Sequence, residues 1–345
     1  MAIKVLVVDD SAFMRKVLTN ILRSHPGIQV VGTARNGEQA LELVDELKPD
    51  VITLDVEMPV KNGIETLEEL MAKRPTPVLM ISSLTQENAK VTIECLEKGA
   101  IDYIPKPSGS ISLDLAKKES EIIAKVFAAA RAKVKVPRKG SWLSEKIETT
   151  TLHRGMGIAI GASTGGPRNI LDVIPCLPQD FPAPVFYVQH MPPAFIPSYA
   201  ERLNQLSQLT VKEAEHGEIS EAGVVYLAPG DYHMTVIRRN FGDGCMICLS
   251  KEPEETVFRP SVDVLMVSMA SVFRDKAIGV LMTGMGRDGA EGMKAIQAKG
   301  GLTIIEDKST CAVFGMPSAA LEEGAAEIVA PSYEIPRQII RGLRR

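Results

Sequence analysis

Residues 156–167 read MGIAIGASTGGP. Met156 to Ile160 has the short apolar run of a buried strand. Gly161-Ala162-Ser163-Thr164-Gly165 then fits G-x-S-x-G, and Gly166-Pro167 opens a helix. A serine at the sharp turn between a parallel strand and a helix has little room around it, which accounts for the flanking glycines. Such a turn lifts the Ser163 Oγ above the sheet, with the partial positive charge of the helix N-terminus pointing at the same place. An anion or oxyanion held there needs no further side chain. The same pattern also serves as a phosphate-binding turn or a plain strand-to-helix turn, so residues elsewhere must decide. No Lys-Ser or Lys-Thr follows the glycines, which excludes a Walker loop. Gly155, Gly157 and Gly161 miss the G-x-G-x-x-G spacing.

Strand–helix alternation surrounds this stretch. Strands are predicted at 156–160, 184–188, 277–282 and 303–305, and helices at 166–174, 194–206, 261–273, 289–299, 318–323 and 335–343. Residues 217–251 have a different texture. Short strands at 224–227, 234–238 and 246–249 are separated by turns at Pro229-Gly230-Asp231 and 240–244. This predicts an antiparallel hairpin inserted in the parallel sheet or added to its edge. Cys245 and Cys248 form a C-x-x-C there. On a strand these positions face opposite sides, and no second pair follows, so a metal or redox site is not expected.

The N-terminal half alternates more regularly. Strands at 3–8, 30–33, 51–54, 78–82 and 101–104 interleave with helices at 11–23, 37–47, 63–73, 87–98 and 113–132. That order predicts a five-stranded parallel, doubly wound sheet with its site at the C-terminal strand ends. Asp9 and Asp10 follow the first strand, and Asp55 follows the third. Ser82 closes the fourth, and Lys106 follows the fifth. Three carboxylates on one sheet edge repel each other and need a cation. An all-oxygen set suits Mg²⁺, which keeps waters and bridges to phosphate. Lys106 then supplies a fixed positive charge to a transferred phosphoryl group, and Ser82 a hydroxyl donor.

A chain of 345 residues predicts two domains. Their boundaries are drawn at 1–125 and 154–345, joined by a linker at 126–153. Arg131, Lys133, Lys135, Arg138 and Lys139 make the linker basic, Pro137 and Gly140 break helix, and the sole tryptophan, Trp142, lies in it. A net charge of −4 argues against nucleic acid as partner. No apolar run approaches transmembrane length, so direct membrane insertion is not expected. The N-terminal MAIKVLVVDD lacks a signal-peptide pattern, and the five cysteines have no framework spacing. Both point to a cytoplasmic protein.

If Ser163 is a nucleophile, it needs a base within reach and an acid to orient that base. Of the five histidines, His190 directly follows the 184–188 strand and so emerges at the same sheet edge as Ser163. His233, beside the hairpin, is the second candidate. Asp288 lies in the Gly-rich loop Thr283–Ala290 after another parallel strand and just before a helix. It is the candidate acid, and it also has a structural explanation as a helix N-cap. The order Ser…His…Asp differs from that of the α/β-hydrolases, so G-x-S-x-G does not assign the chain to that fold.

The N-terminal half closely resembles the response-regulator receiver family in VVDDSAFMR (7–15), ITLDVEMPVKNG (52–63), VLMISSLT (78–85) and GAIDYIPKP (99–107). The resemblance implies a flavodoxin-like fold in which Asp55 accepts a phosphoryl group from a chemotaxis histidine kinase. Asp10, Asp55 and the backbone carbonyl of Glu57 would bind Mg²⁺, with Asp9 acting through water. Ser82 and Tyr103 match the switch pair, and Lys106 the phosphate-sensing lysine. The Lys106-Pro107 bond is often cis in that family. The C-terminal half resembles the catalytic domain of chemotaxis protein-glutamate methylesterases in GASTGGP (161–167), QHMPPAF (189–195), LAPGDYHM (227–234) and LMTGMGRDGA (281–290). This implies a triad of Ser163, His190 and Asp288, an oxyanion contact from the N–H of Met285, and Thr164 beside the nucleophile. No cofactor is implied for the esterase. The substrates would be methylglutamates and specific glutamines of methyl-accepting chemotaxis receptors. A receiver covering Ser163 until phosphorylated is the expected control. The alternative is a non-enzymatic binding module holding a phosphorylated ligand at Gly165-Gly166. Nothing after residue 154 reads as a helix-turn-helix DNA-binding domain.

Overall fold

The computed structural model describes residues 2–83, 85–106, 114–132, 155–239 and 244–345. Most of the expected linker, with Trp142 and His153, lies outside them, as does Pro107. The chain divides into two compact units, Met1–Lys139 and Gly140–Arg345.

The first unit holds β1 (Ile3–Val8), α1 (Ala12–Arg23), β2 (Ile28–Ala34), α2 (Gly37–Leu47), β3 (Val51–Asp55), α3 (Gly63–Lys73), β4 (Val78–Ser82), α4 (Gln86–Glu97), β5 (Asp102–Pro105) and α5 (Asp114–Arg131). The strands form one parallel sheet in the order β2-β1-β3-β4-β5. Val5 to Val8 and Val78 to Ile81 are fully buried, as strands covered on both faces must be. Short polar side chains start the helices. Ser11, Asn36, Asn62 and Thr85 each accept a hydrogen bond from the first turn of their helix, and Asn62 with Glu65 completes a capping box. Strand order reverses between β1 and β3. That juxtaposition brings the loop after Val8 beside the end of β3, where α/β sheets bind ligands. Helix α5 runs through the boundary drawn at residue 125.

The second unit is built on seven parallel strands: β6 (Gly157–Ala162), β7 (Val185–Gln189), β8 (Thr210–Glu213), β9 (Val224–Leu227), β12 (Ala277–Leu281), β13 (Leu302–Glu306) and β14 (Ile328–Ala330). Their order is β14-β13-β12-β6-β7-β9-β8. β10 (His233–Arg238) and β11 (Cys245–Ser250) form the predicted antiparallel hairpin. The helices are α6 (Gly166–Asn169), α7 (Ile196–Leu206), α8 (Val262–Phe273), α9 (Ala290–Ala298), α10 (Met316–Glu322) and α11 (Ile335–Gly342). The chain leaves β6 in one direction to β7, β9 and β8, then crosses back to β12, β13 and β14. The ends of β6, β7 and β12 therefore meet at the switch point.

Three expectations are corrected. The hairpin is not part of the large sheet: it forms its own two-stranded sheet against α8, where Val236 N–H donates to Ser268 Oγ at 3.1 Å. The segment 224–227, read with the hairpin, is instead the interior strand β9, paired on both sides. The helix expected over 166–174 is a single turn followed by 3-10 turns at Ile170–Asp172 and Ile174–Cys176. Pro175 lacks an N–H and disfavours helical geometry at Ile174, so regular helix cannot continue. The sequence predicts neither β8 nor β14, because TVKE and IVA carry too little apolar periodicity.

Candidate functional site

The register of the large sheet sets the nucleophile beside the base. Ala162 pairs with Gln189 across β6 and β7, so Ser163 and His190 are the next residues on adjacent strands. His190 N–H donates to Ala162 O at 3.1 Å. Gln189, fully buried, ties the two turns together through its Nε2, which donates to Ser163 O at 3.0 Å and His190 O at 3.2 Å. From the other side Ser163 N–H donates to Thr283 O at 3.0 Å. Gly165 has φ +79°, and a Cβ there would lie 2.4 Å from Ala312 Cβ. A Cβ on Gly284 would lie 2.8 Å from Ser163 Cβ. Gly165 is thus required by its left-handed backbone and by crowding, and Gly284 by the close approach of Ser163. With α6 only one turn long, helix dipole contributes little at Ser163, contrary to expectation.

His190 and Asp288 are joined at 2.7 Å between Nε2 and Oδ2, both side chains almost fully buried. The acid is held by a helix that is not its own. Val262 N–H donates to Asp288 Oδ2 at 2.7 Å, Asp263 N–H to Oδ1 at 3.0 Å, and Ser261 Oγ to Oδ1 at 2.8 Å. Asp288 thereby covers the start of α8, while α9, the helix that follows it, is capped by Gly289 without a side-chain bond. Burial pushes the Asp288 carboxyl up, but the His190 contact and the backbone N–H groups outweigh it and hold the carboxyl below its ordinary value. As a carboxylate Asp288 can only accept, so Nε2 of His190 carries the proton and Nδ1 the lone pair. Nδ1 is buried and has no hydrogen-bond partner among the described residues. Phe258 stacks on the imidazole with ring centroids 4.2 Å apart and planes 15° apart.

His233, the second candidate base, is fully buried with both ring nitrogens engaged. Ser261 N–H donates to Nδ1 at 3.1 Å, and Nε2 faces Pro253 O at 3.2 Å and Thr256 Oγ1 at 3.1 Å. It has no lone pair to offer a serine. Among the described residues the Met285 N–H has no acceptor, whereas its neighbour Gly284 is bonded at both ends. Thr164 is buried, and its carbonyl accepts from Thr283 Oγ1 at 3.0 Å. Gln189 lies in the QHMPPAF stretch, which implies no role for it, and Phe258, Ser261 and Glu306 carry no motif that marks them in the sequence. Glu306 is fully buried and accepts from Thr283 N–H at 2.8 Å and Asn169 Nδ2 at 2.6 Å, tying the loop after β12 to the short helix that follows Ser163.

In the first unit Asp9, Asp10 and Asp55 present carboxylate oxygens within 4.8 Å of one another. Lys106 Nζ lies 2.8 Å from Asp55 and 3.6 Å from Asp9. Asp9 Oδ1 accepts from Ser11 N–H at 2.9 Å, but its buried Oδ2 has no hydrogen-bond partner among the described residues. Burial raises the Asp9 carboxyl, and it pushes Asp55 up to about 6 against the Lys106 hydrogen bond. Three carboxylates gathered around one buried oxygen that has only the Lys106 ammonium at 3.6 Å to offset it fit a hard divalent cation. A cavity beside the cluster is lined by Asp10, Val56, Glu57, Met58 and Asn62. Ser82 is buried, with Oγ donating to Ser83 O at 3.1 Å and accepting from Thr92 Oγ1 at 2.8 Å. Tyr103 is also buried, with Lys125 Nζ 4.9 Å from its ring centroid. Cys245 is buried and Cys248 partly exposed, and both are free thiols.

Residues 158–339 match the family described as CheB methylesterase, and residues 5–116 match the response regulator receiver domain. The chain is 48% identical over 351 residues to a protein-glutamate methylesterase/protein-glutamine glutaminase of Pyrococcus abyssi, covering 99% of this chain and 94% of that one. It is 47% identical over 342 residues to the protein of the same name from Thermotoga maritima, covering 98% of each. The crystal structure of the Thermotoga maritima CheB methylesterase catalytic domain aligns with a TM-score of 0.53 and 46% identity, over 55% of this chain and 99% of that one. No helix among the described residues is long and apolar enough to cross a membrane.

Proposed function

The chain belongs to the CheB methylesterase family with a response-regulator receiver in front, and from that premise we propose that Ser163, His190 and Asp288 carry a phosphorylation-activated protein-glutamate methylesterase and glutaminase. Ser163 Oγ attacks the γ-carbonyl carbon of a methylglutamate on a chemoreceptor, and Nδ1 of His190 takes the hydroxyl proton. The Met285 N–H donates to the oxyanion of the tetrahedral intermediate. Nδ1 then returns the proton to the departing methoxy oxygen, and methanol leaves an acyl-Ser163. Water attacks the acyl group with Nδ1 again as base, restoring the serine and releasing glutamate. With glutamine the same attack expels ammonia. Asp288 keeps the proton on Nε2 and stabilises the imidazolium.

In the receiver, Asp55 accepts the phosphoryl group from a chemotaxis histidine kinase. Asp10, Asp55 and the Glu57 carbonyl would hold Mg²⁺, with Asp9 through water, and the ion would supply positive charge to offset that of the phosphoryl oxygens. Lys106 pairs with the phosphorylated side chain, and Ser82 and Tyr103 respond to it. The boundaries proposed for the parts are 1–125, 126–153 and 154–345, and the site of action is the cytoplasm.

The observation that supports the esterase reading best is the His190–Asp288 bond, which leaves a buried, unpartnered Nδ1 one residue beyond the strand pair that carries Ser163. A serine-directed fluorophosphonate should label Ser163. Methanol release from methylated receptor membranes should rise with acetyl phosphate. Absence of both would leave a non-enzymatic binding module.

A further inference from the structure

His233 is a fully buried residue of the hairpin, and among the described residues the partners of its ring nitrogens lie in the segment Pro253–Ser261. Because Nδ1 accepts from Ser261 N–H, Nε2 carries the proton and donates to Pro253 O, with Thr256 Oγ1 also in reach. The imidazole therefore bridges both ends of a nine-residue stretch between β11 and α8. Two features of that stretch touch the triad. Phe258 covers one face of His190, and Ser261 ends the segment with its Oγ on Asp288. Ser261 thus has its N–H on His233 and its hydroxyl on Asp288. Charging the ring would set an Nδ1–H against the Ser261 N–H. Burial keeps the imidazole neutral by holding its pKa below the ordinary histidine value.

We propose that His233 is a positioning residue of the esterase: its neutral imidazole, clamped between Pro253 and Ser261, holds the Ser261 hydroxyl and the start of α8 on Asp288 and so aims the acid at His190. It acts through Asp288 and touches no reacting atom. The inference rests on the triad reading above.

Asn and Gln separate the two halves of the clamp. The Asn Oδ1 stands where Nδ1 does and still accepts from Ser261. The Gln Nε2 stands where the ring Nε2 does and still donates to Pro253, but leaves the Ser261 N–H buried and unpaired. In the full-length protein activated by acetyl phosphate, His233→Gln should lower kcat for methanol release about tenfold or more with KM within about twofold, while His233→Asn stays within about threefold of the parent. In an Asp288→Asn background His233→Gln should cost less than about twofold, because the group it acts through is already impaired. Circular dichroism melts of each variant report folding. The inference is overturned if His233→Gln retains full kcat, or if its loss is as large with Asp288→Asn as without it. It is also overturned if Gln and Asn lose activity equally in step with their melting temperatures. Full activity in Asp288→Asn alone would sink the triad reading, and a loss there with none in His233→Gln would sink only the role of His233.

Discussion

His190 donates its Nε2–H to Asp288 at 2.7 Å, and the Nδ1 of the same ring is buried with no hydrogen-bond partner among the described residues. The lone pair that can take a serine proton therefore sits on Nδ1, the nitrogen nearer the backbone. Asp288 can hold this tautomer because the His190 contact and the backbone N–H groups of Val262 and Asp263 keep it ionised.

Removing the nucleophile tests this arrangement directly. Ser163→Ala should lose on the order of 10⁴-fold in methanol release, and Ser163→Ala/His190→Ala should lose little more, since the two act as one unit. Retention of more than about a tenth of the activity in Ser163→Ala would end the mechanism.

Asp288→Asn should lose less activity than Ser163→Ala, because orientation goes while the nucleophile stays. It should also weaken folding. The folded Asp288 carboxyl lies below its ordinary value, so its contribution is present above the unfolded pKa and vanishes as pH falls through the folded one. Urea titrations should show parent and Asp288→Asn converging in stability below about pH 4 and separating above it. A gap independent of pH would contradict the ionised, N-terminal role of this carboxylate.

The sign reverses at Asp55. Its folded pKa is pushed up to about 6 from 3.8, so the folded chain binds the proton more tightly and stability falls as pH rises through that interval. Without Mg²⁺, Asp55→Asn should match the parent near pH 4 and exceed it above pH 6 by up to about 3 kcal/mol. Saturating Mg²⁺ should stabilise the parent more than the variant. A parent that gains stability from pH 4 to 6 relative to Asp55→Asn would refute the buried acidic cluster.

Phosphoryl transfer and esterase chemistry should come apart by mutation. Asp55→Ala should abolish labelling by radioactive acetyl phosphate and all stimulation, while basal methanol release persists. Asp10→Ala should weaken Mg²⁺ binding and phosphorylation together. Stimulation by acetyl phosphate in excess EDTA is the result that would count against a Mg²⁺-dependent acceptor.

Phe258 covers one face of the base. Phe258→Ala should admit water to the imidazole and free its rotation, lowering kcat about tenfold, while Phe258→Tyr retains the stack and most of the rate. Equal activity of Phe258→Ala and the parent would show that the stacking is incidental.

The local chemistry of this chain is legible in its amino-acid order. The apolar runs ending in Asp9, Asp55, Ser163 and His190 place each residue at a strand end, and in a parallel α/β sheet that end is where sites form. Helix starts at Ser11, Asn36 and Asn62 can be read because a capping side chain acts within three residues. Other features depend on groups far apart along the chain. Which histidine keeps a free nitrogen turns on Ser261 and Pro253 reaching His233, contacts 28 and 20 residues away. That Asp288 serves α8 and not the helix following it turns on a packing of segments 26 residues apart. Strand β9 lies inside the sheet, and not in the hairpin, because β7 and β8 pair with it on either side. Periodicity reports which face of a segment is buried, but a hydrogen-bond partner is chosen by the fold that brings distant backbone into range.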